Sequence, residues 1–215
     1  MAEPDLVADC IKAMQDAVTI PVTLKTRIGI DDLDSYDHLT HFIGTVANTG
    51  CNTFIIHARK AWLNGLSPKE NRTIPPLRYD IAKQLKQDFP DLEIILNGGI
   101  HSHDAIADHL KDFDGVMIGR EAYQHPYFLS DVDQRYFGDD KPIQTRHDIL
   151  NAFLPYVEQQ RKADIYLKHM TRHILGLFHA EPGAKAWRRY LSEHMHDQHA
   201  GAETLKAALT KINKS

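Results

Sequence analysis

The sequence predicts an α/β chain. A parallel sheet of about four strands with crossover helices is expected over residues 1–138, and an all-α bundle over 139–215. Three observations predict it. Short apolar runs alternate with segments of helical periodicity as far as residue 118. Each run is short enough to be buried on both faces, as strands of parallel sheets are. After Pro126 the alternation stops, and from about residue 145 only helical periodicity is left.

Residues 4–17 place Leu6, Val7, Cys10, Ile11 and Met14 at helical spacing, with Pro4 near the start, where a helix tolerates it. A β-rich run, IPVTLKT, follows at 20–26. A helix over 35–48, closed by Gly50, leads to a second strand, TFIIH, at 53–57. The polar segment 58–77, with Pro68, Pro75 and Pro76, reads as a long loop. Then come a helix at 79–88, a strand at 92–96, a helix at 102–112 that Ser102 can cap, and a strand at 115–118. Helices are expected at 146–161, 164–178, 183–195 and 201–213, with the domain boundary in FGDDKP, 137–142.

Composition excludes several classes. No stretch approaches the ~20 apolar residues of a membrane helix. The start, MAEPDLVADC, has acids where a secretory signal carries lysines, so a cytoplasmic location is expected. Cys10 and Cys51 form neither a disulfide framework nor a CxxC pair, and each is expected to pack as a small buried hydrophobe. His194, His196 and His199 lack a ligand spacing, so no metal is expected. The net charge of −4 hides an asymmetry: residues 1–140 carry 13 Lys+Arg against 22 Asp+Glu, and 141–215 carry 12 against 7. The basic half is suited to meeting an anion such as a nucleic acid, although a solvated basic surface has the same composition.

The chemistry lies at the strand ends, where parallel α/β proteins collect ligands. The first ends VTLKTRIG, with Lys25 and Arg27 on one side; the second ends IIHARK, with His57 and Arg59 likewise. The third ends in Asn97, Gly98 and Gly99, and the fourth in Gly119 and Arg120. Singly, a strand-end lysine is solvated, a histidine structural and a glycine pair a turn. Four consecutive ends of this kind read together as one ligand site. Glycine N–H groups, an arginine and a following helix suit a phosphate. Barrels often place a phosphate site after strands seven and eight, which would make these four strands five through eight.

VTLKTRIG, FIIHARKAWLNGLSPKENR, ILNGGI and GVMIGREAYQHP resemble the flavin-dependent tRNA-dihydrouridine synthases. PPLRY and HMTRHILGLFHAEPGAKAWRRYLSEH are similar to the A subfamily, and the resemblance runs over essentially all 215 residues. It implies a TIM (β/α)₈ barrel, of which this chain holds the C-terminal half, followed by a helical tRNA-binding domain. It also implies reduction of a D-loop uridine to 5,6-dihydrouridine, with FMN as cofactor and NADPH as reductant. The resemblance assigns Lys25, His57, Asn97, Gly98, Gly99, Gly119 and Arg120 to FMN, with cationic Lys25 balancing charge on the reduced flavin. It assigns Lys69, Arg72, Lys185 and Arg188 to tRNA, and the i,i+3 pair Lys185 and Arg188 shares a helical face. Arg27 and Arg59 remain open among uracil, flavin and an internal carboxylate. Trp187 is expected in the bundle core.

The family's general acid is a cysteine in an N-x-G-C-P-type loop, and neither Cys10 nor Cys51 has that context. Met1 aligns with the interior of family sequences, so an N-terminal truncation is expected, with weak FMN binding and no activity of the chain alone. Open sheet edges would favour self-association. Two other readings share these features: a different FMN-barrel oxidoreductase acting on a small pyrimidine, against which the basic bundle argues, and a non-catalytic tRNA-binding remnant.

Overall fold

The computed structural model describes residues 1–212. The chain divides into two compact units, Met1–Gly119 and Arg120 onward.

The first unit alternates as expected. Helix α1 (Pro4–Ala17) precedes β1 (Leu24–Arg27), α2 (Tyr36–Ala47) and β2 (Thr53–His57). After the long loop come α3 (Tyr79–Asp88), β3 (Glu93–Asn97), α4 (His103–His109) and β4 (Gly115–Met117). The four strands form one sheet in chain order β1-β2-β3-β4, every pair parallel. The register aligns Arg27, His57 and Asn97 across the carboxyl ends of the first three strands. Ser35 caps α2 by accepting the His38 N–H, and Ser102 caps α4 by accepting the Ala105 N–H. The buried residues of this unit include Leu39, Phe42, Ile43 and Val46 of α2 and Phe54, Ile56, Ile94 and Leu96 of the sheet.

Three expectations about this unit need correction. Only β2 runs buried through its centre on both faces; every residue of β4 is half-buried, because β1 and β4 are edge strands. The first strand starts at Leu24 and not at Ile20: Pro21 has no N–H for a ladder, and pairing begins at Leu24 opposite Phe54. On α1 only Ile11 is buried, while Leu6 is 55% and Met14 47% exposed and Cys10 is exposed too. Cys51 does pack as a buried hydrophobe.

The second unit is helical: α5 (Arg120–Gln124), a 3₁₀ turn Pro126–Leu129, α6 (Val132–Phe137), α7 (Arg146–Lys162), α8 (Leu167–Thr171), α9 (Ala184–His194) and α10 (Ala202–Leu209). Its core includes Leu150, Val157, Leu167, Leu177, Phe178, Trp187, Leu191 and Leu205, with Phe153 and Leu175 packed against it. Trp187 is fully buried, its ring edge-to-face with Phe178 at 4.9 Å. The break between units falls after Gly119, ahead of the expected 138/139 boundary. Tyr127 explains why: it packs on the helical core, with the Arg146 guanidinium 3.8 Å over its ring. The helix expected over 164–178 shortens to α8. Beyond it the chain turns more tightly, with His173, Ile174 and Leu177 each bonding three residues back. Of the helix expected at 201–213, residue 213 lies outside the described residues.

Helix α7 opens with a reciprocal cap. Thr145 Oγ1 accepts the Asp148 N–H at 3.2 Å, and the Asp148 carboxylate accepts the Thr145 N–H at 3.1 Å. Bonds from Thr145 hold the Asp148 carboxyl below its ordinary value. A depressed carboxyl pKa contributes stability that is present above the unfolded value and lost as pH falls through the folded one. Thr145→Ala removes this cap and is expected to lower stability at neutral pH and to flatten the acid limb of the profile below the ordinary aspartate range. Chemical denaturation at several pH values measures both effects.

Candidate functional site

The carboxyl ends of the parallel strands gather the polar residues of the first unit. Lys25 is exposed on β1, and desolvation by the protein beside it, with the neighbouring Arg27 charge, lowers its ammonium pKa. His57 ends β2, and Asn97 ends β3 in register with it. One Asn97 Nδ2–H donates to the Met117 carbonyl at 2.8 Å, tying β3 to β4.

Gly98 and Gly99 take φ of +114° and +70°, which side chains other than glycine's rarely adopt. Close packing adds a second reason. A Cβ on Gly98 would stand 2.7 Å from His57 Cδ2, and one on Gly99 would stand 2.4 Å from Leu77 Cδ1 and 2.9 Å from the Tyr79 hydroxyl. That hydroxyl donates to the Gly98 carbonyl at 2.7 Å. The glycine turn is thus seated on Leu77 and Tyr79 with His57 against it. Gly119 has open space where a Cβ would go, and Arg120 opens α5.

Arg27 and Arg59 both donate to backbone carbonyls of the loop that follows β2. Arg27 donates to the carbonyls of Lys60 at 2.9 Å and Asn71 at 3.0 Å. Arg59 donates to the carbonyls of Thr73 at 3.2 Å and Pro75. Both brace the loop 58–77, whose ends close on Ala58: its N–H donates to Asn97 O, and its carbonyl accepts the Arg78 N–H. Desolvation, then Arg59 and Arg72, lower the pKa of Arg27, as expected where three guanidinium groups approach one another. Lys69 and Arg72 stand exposed on this loop, flanking or within the 3₁₀ turn Glu70–Arg72. Leu77, Tyr79 and Asn71 are the residues that sequence reasoning missed. The PPLRY motif was the available signal for the first two.

A family model described as dihydrouridine synthase (Dus) matches residues 1–213. The chain belongs to the dihydrouridine synthase family. It is 58% identical over 213 residues to the tRNA-dihydrouridine(20/20a) synthase of Vibrio vulnificus, covering 99% of this chain and 65% of the relative. To the enzymes of the same name from Shewanella oneidensis and Vibrio cholerae it is 57% identical, covering 99% of this chain and 63% and 65% of the relatives. The chain therefore spans less than two thirds of their length.

In this dihydrouridine synthase chain the second unit carries the other cations singled out from sequence. On α9 the buried face is Ala184, Trp187 and Leu191, which leaves Lys185 and Arg188 exposed. His194 stacks on Tyr190 at 4.0 Å, and its Nδ1 lies 2.7 Å from the Tyr190 carbonyl. No helix among the described residues is long and apolar enough to cross a membrane.

Proposed function

We propose that the chain is part of an FMN-dependent tRNA-dihydrouridine synthase of the A subfamily. Its reaction is reduction of a D-loop uridine to 5,6-dihydrouridine with NADPH, and its relatives' names point to positions 20 and 20a. The observation that carries the reading is the packed turn at the carboxyl end of the sheet, with His57 against Gly98. Four parallel strands in chain order, with no reversal, support half of a TIM barrel, with β1 to β4 as its strands five through eight. The first unit then carries the flavin residues up to Gly119 together with Lys69 and Arg72 for tRNA, and the helical unit carries Arg120, Lys185 and Arg188. A cytoplasmic location follows from the substrate, and the edge strands and the exposed face of α1 favour self-association.

The donor set fits FMN. Lys25, His57, Asn97, the amides of Gly98 and Gly99, Gly119 and Arg120 offer N–H groups to a phosphate and to electron-rich carbonyls. FMN, when bound, supplies the hydride that the uracil ring receives. Lys25 and His57 hold and orient the cofactor from β1 and β2. Arg27 and Arg59 keep the loop in place, and Lys69, Arg72, Lys185 and Arg188 take tRNA phosphates.

Titration of FMN fluorescence tests this. Four strand ends surround only part of the cofactor, so binding is expected to be weak, yet tighter for FMN than for riboflavin because the glycine turn and Arg120 recognise phosphate. Gly98→Ala, by displacing His57, should lower FMN affinity at least ten-fold. Equal binding of FMN and riboflavin, or binding of neither, counts against the reading.

A further inference from the structure

We propose that Trp62, clamped by Asn71, is an aromatic platform for the face of a tRNA nucleobase beside the phosphates held by Lys69 and Arg72. The proposal rests on the reading that the chain binds tRNA, and adds to it a base contact. Trp62 lies in the loop that follows β2, where the chain is paired to the segment after β1. Ala61 N–H donates to Gly29 O at 2.9 Å, and Asp31 N–H donates to Ala61 O at 2.8 Å. The Asn71 amide then takes both backbone groups of Trp62: Oδ1 accepts its N–H at 2.8 Å, and Nδ2 donates to its carbonyl at 2.6 Å. Asn71 is itself held, because its own carbonyl accepts from Arg27 at 3.0 Å.

Asn71 sits in the turn Glu70–Arg72, so one residue joins the turn bearing Lys69 and Arg72 to the backbone of Trp62. Two cations and an indole thereby become one braced piece. Trp62 is half-buried, with Lys60 Nζ 5.7 Å from its ring centroid. Lys60 is anchored in turn by Asp34 at 2.5 Å. A core role would bury the indole, as the helical unit buries Trp187 completely. Here the backbone is fixed while the residue is left only half-buried. That arrangement meets the ordering penalty of a stacking contact before the ligand arrives.

The ligand chemistry follows. Chemistry on the ring of a base in folded RNA requires that the base leave its stack, and its neighbours lose stacking surface too. Proteins that read unpaired RNA replace such surface with aromatic side chains beside phosphate-binding cations. A fixed indole next to Lys69 and Arg72 offers that replacement to a base of the D-loop.

The chain has two tryptophans, and Trp187 is buried, so a change in the accessible emission reports Trp62. Titrating the full chain with an unmodified tRNA transcript is expected to quench its fluorescence about two-fold, and Trp62→Phe should abolish that change. Phenylalanine still offers a ring face, so Trp62→Phe should keep affinity within about three-fold. Trp62→Ala should weaken binding by about 5- to 150-fold, the equivalent of ~1–3 kcal/mol. Plotted against salt, the Trp62→Ala line should run parallel to that of the parent, whereas Arg188→Ala should reduce the slope by about one. Binding without quenching, or an unchanged affinity in Trp62→Ala, overturns the platform and leaves the tRNA reading standing. No binding of tRNA by the parent chain overturns both.

Discussion

No dihydrouridine is expected from the 215-residue chain given FMN, NADPH and an unmodified tRNA transcript, under conditions in which the whole enzyme of a Vibrio relative converts the transcript. Reducing the C5=C6 bond of uracil needs a hydride at one carbon and a proton at the other, so a positioned acid is required. Neither thiol of this chain is placed to be one. Cys51 precedes β2, at the end of the strand opposite His57. A strand rise of ~3.3 Å per residue puts it roughly 17–20 Å from the site. Its thiol lies 3.5 Å from the Val22 carbonyl, and burial pushes its pKa up. Cys10 is exposed on α1. Lys25 and His57 have N–H groups, but the proposed site commits both to the cofactor. A positioned proton donor is typically worth ~10²–10⁴-fold, so turnover without one is expected to fall at least about 100-fold below that of the whole enzyme. Mass spectrometry of the digested transcript reads the product. Conversion within about ten-fold of the whole enzyme would place the acid within this chain, and Lys25→Ala and His57→Ala would then tell which residue it is.

The strand ends were legible because their signals are local. ILNGGI announces a turn after an apolar strand, and Gly98 and Gly99 do take left-handed φ. The reason read from sequence was close approach of a ligand. The structure adds a reason that sequence does not display, the packing of both glycines against His57, Leu77 and Tyr79. Long-range contacts were illegible. The carbonyls that hold Arg27 lie 33 and 44 residues away, so nothing near KTRIG tells whether that guanidinium meets a ligand or the backbone. A polar loop with three prolines reads as open, yet 58–77 is braced by Arg27, Arg59 and Asn71. On α1 the helical periodicity matches the helix formed, but burial needs a second surface, and Leu6 and Met14 remain exposed. In the helical unit Leu177 and Phe178 were legible as core. The tight turns around them were not, since a period of three and one of 3.6 are hard to separate over so few residues.

Gly176→Ala is expected to destabilise the helical unit strongly. Gly176 lies in the run of tight turns after α8, and a Cβ there would stand 1.7 Å from the backbone oxygen of Gln124 and 2.8 Å from its carbonyl carbon. A side chain in the way could rotate; a backbone carbonyl at the end of α5 cannot. Relief would require moving either α5 with the Pro126–Leu129 turn or the segment 172–180. The second of these holds Leu177 and Phe178 in the core and receives the Arg146 guanidinium on the Leu177 carbonyl at 3.0 Å. Overpacking of this kind costs about 3 kcal/mol or more, which in a unit of this size lowers Tm by roughly 12–24 °C. Gly119→Ala supplies the contrast, because its Cβ would enter open space at an ordinary φ, and its Tm should stay within about 2 °C of the parent's. If flavin affinity falls in Gly119→Ala while Tm holds, that glycine serves the ligand and not the fold. If Gly176→Ala melts with the parent, the segment 172–180 yields more easily than its packing against Gln124 implies.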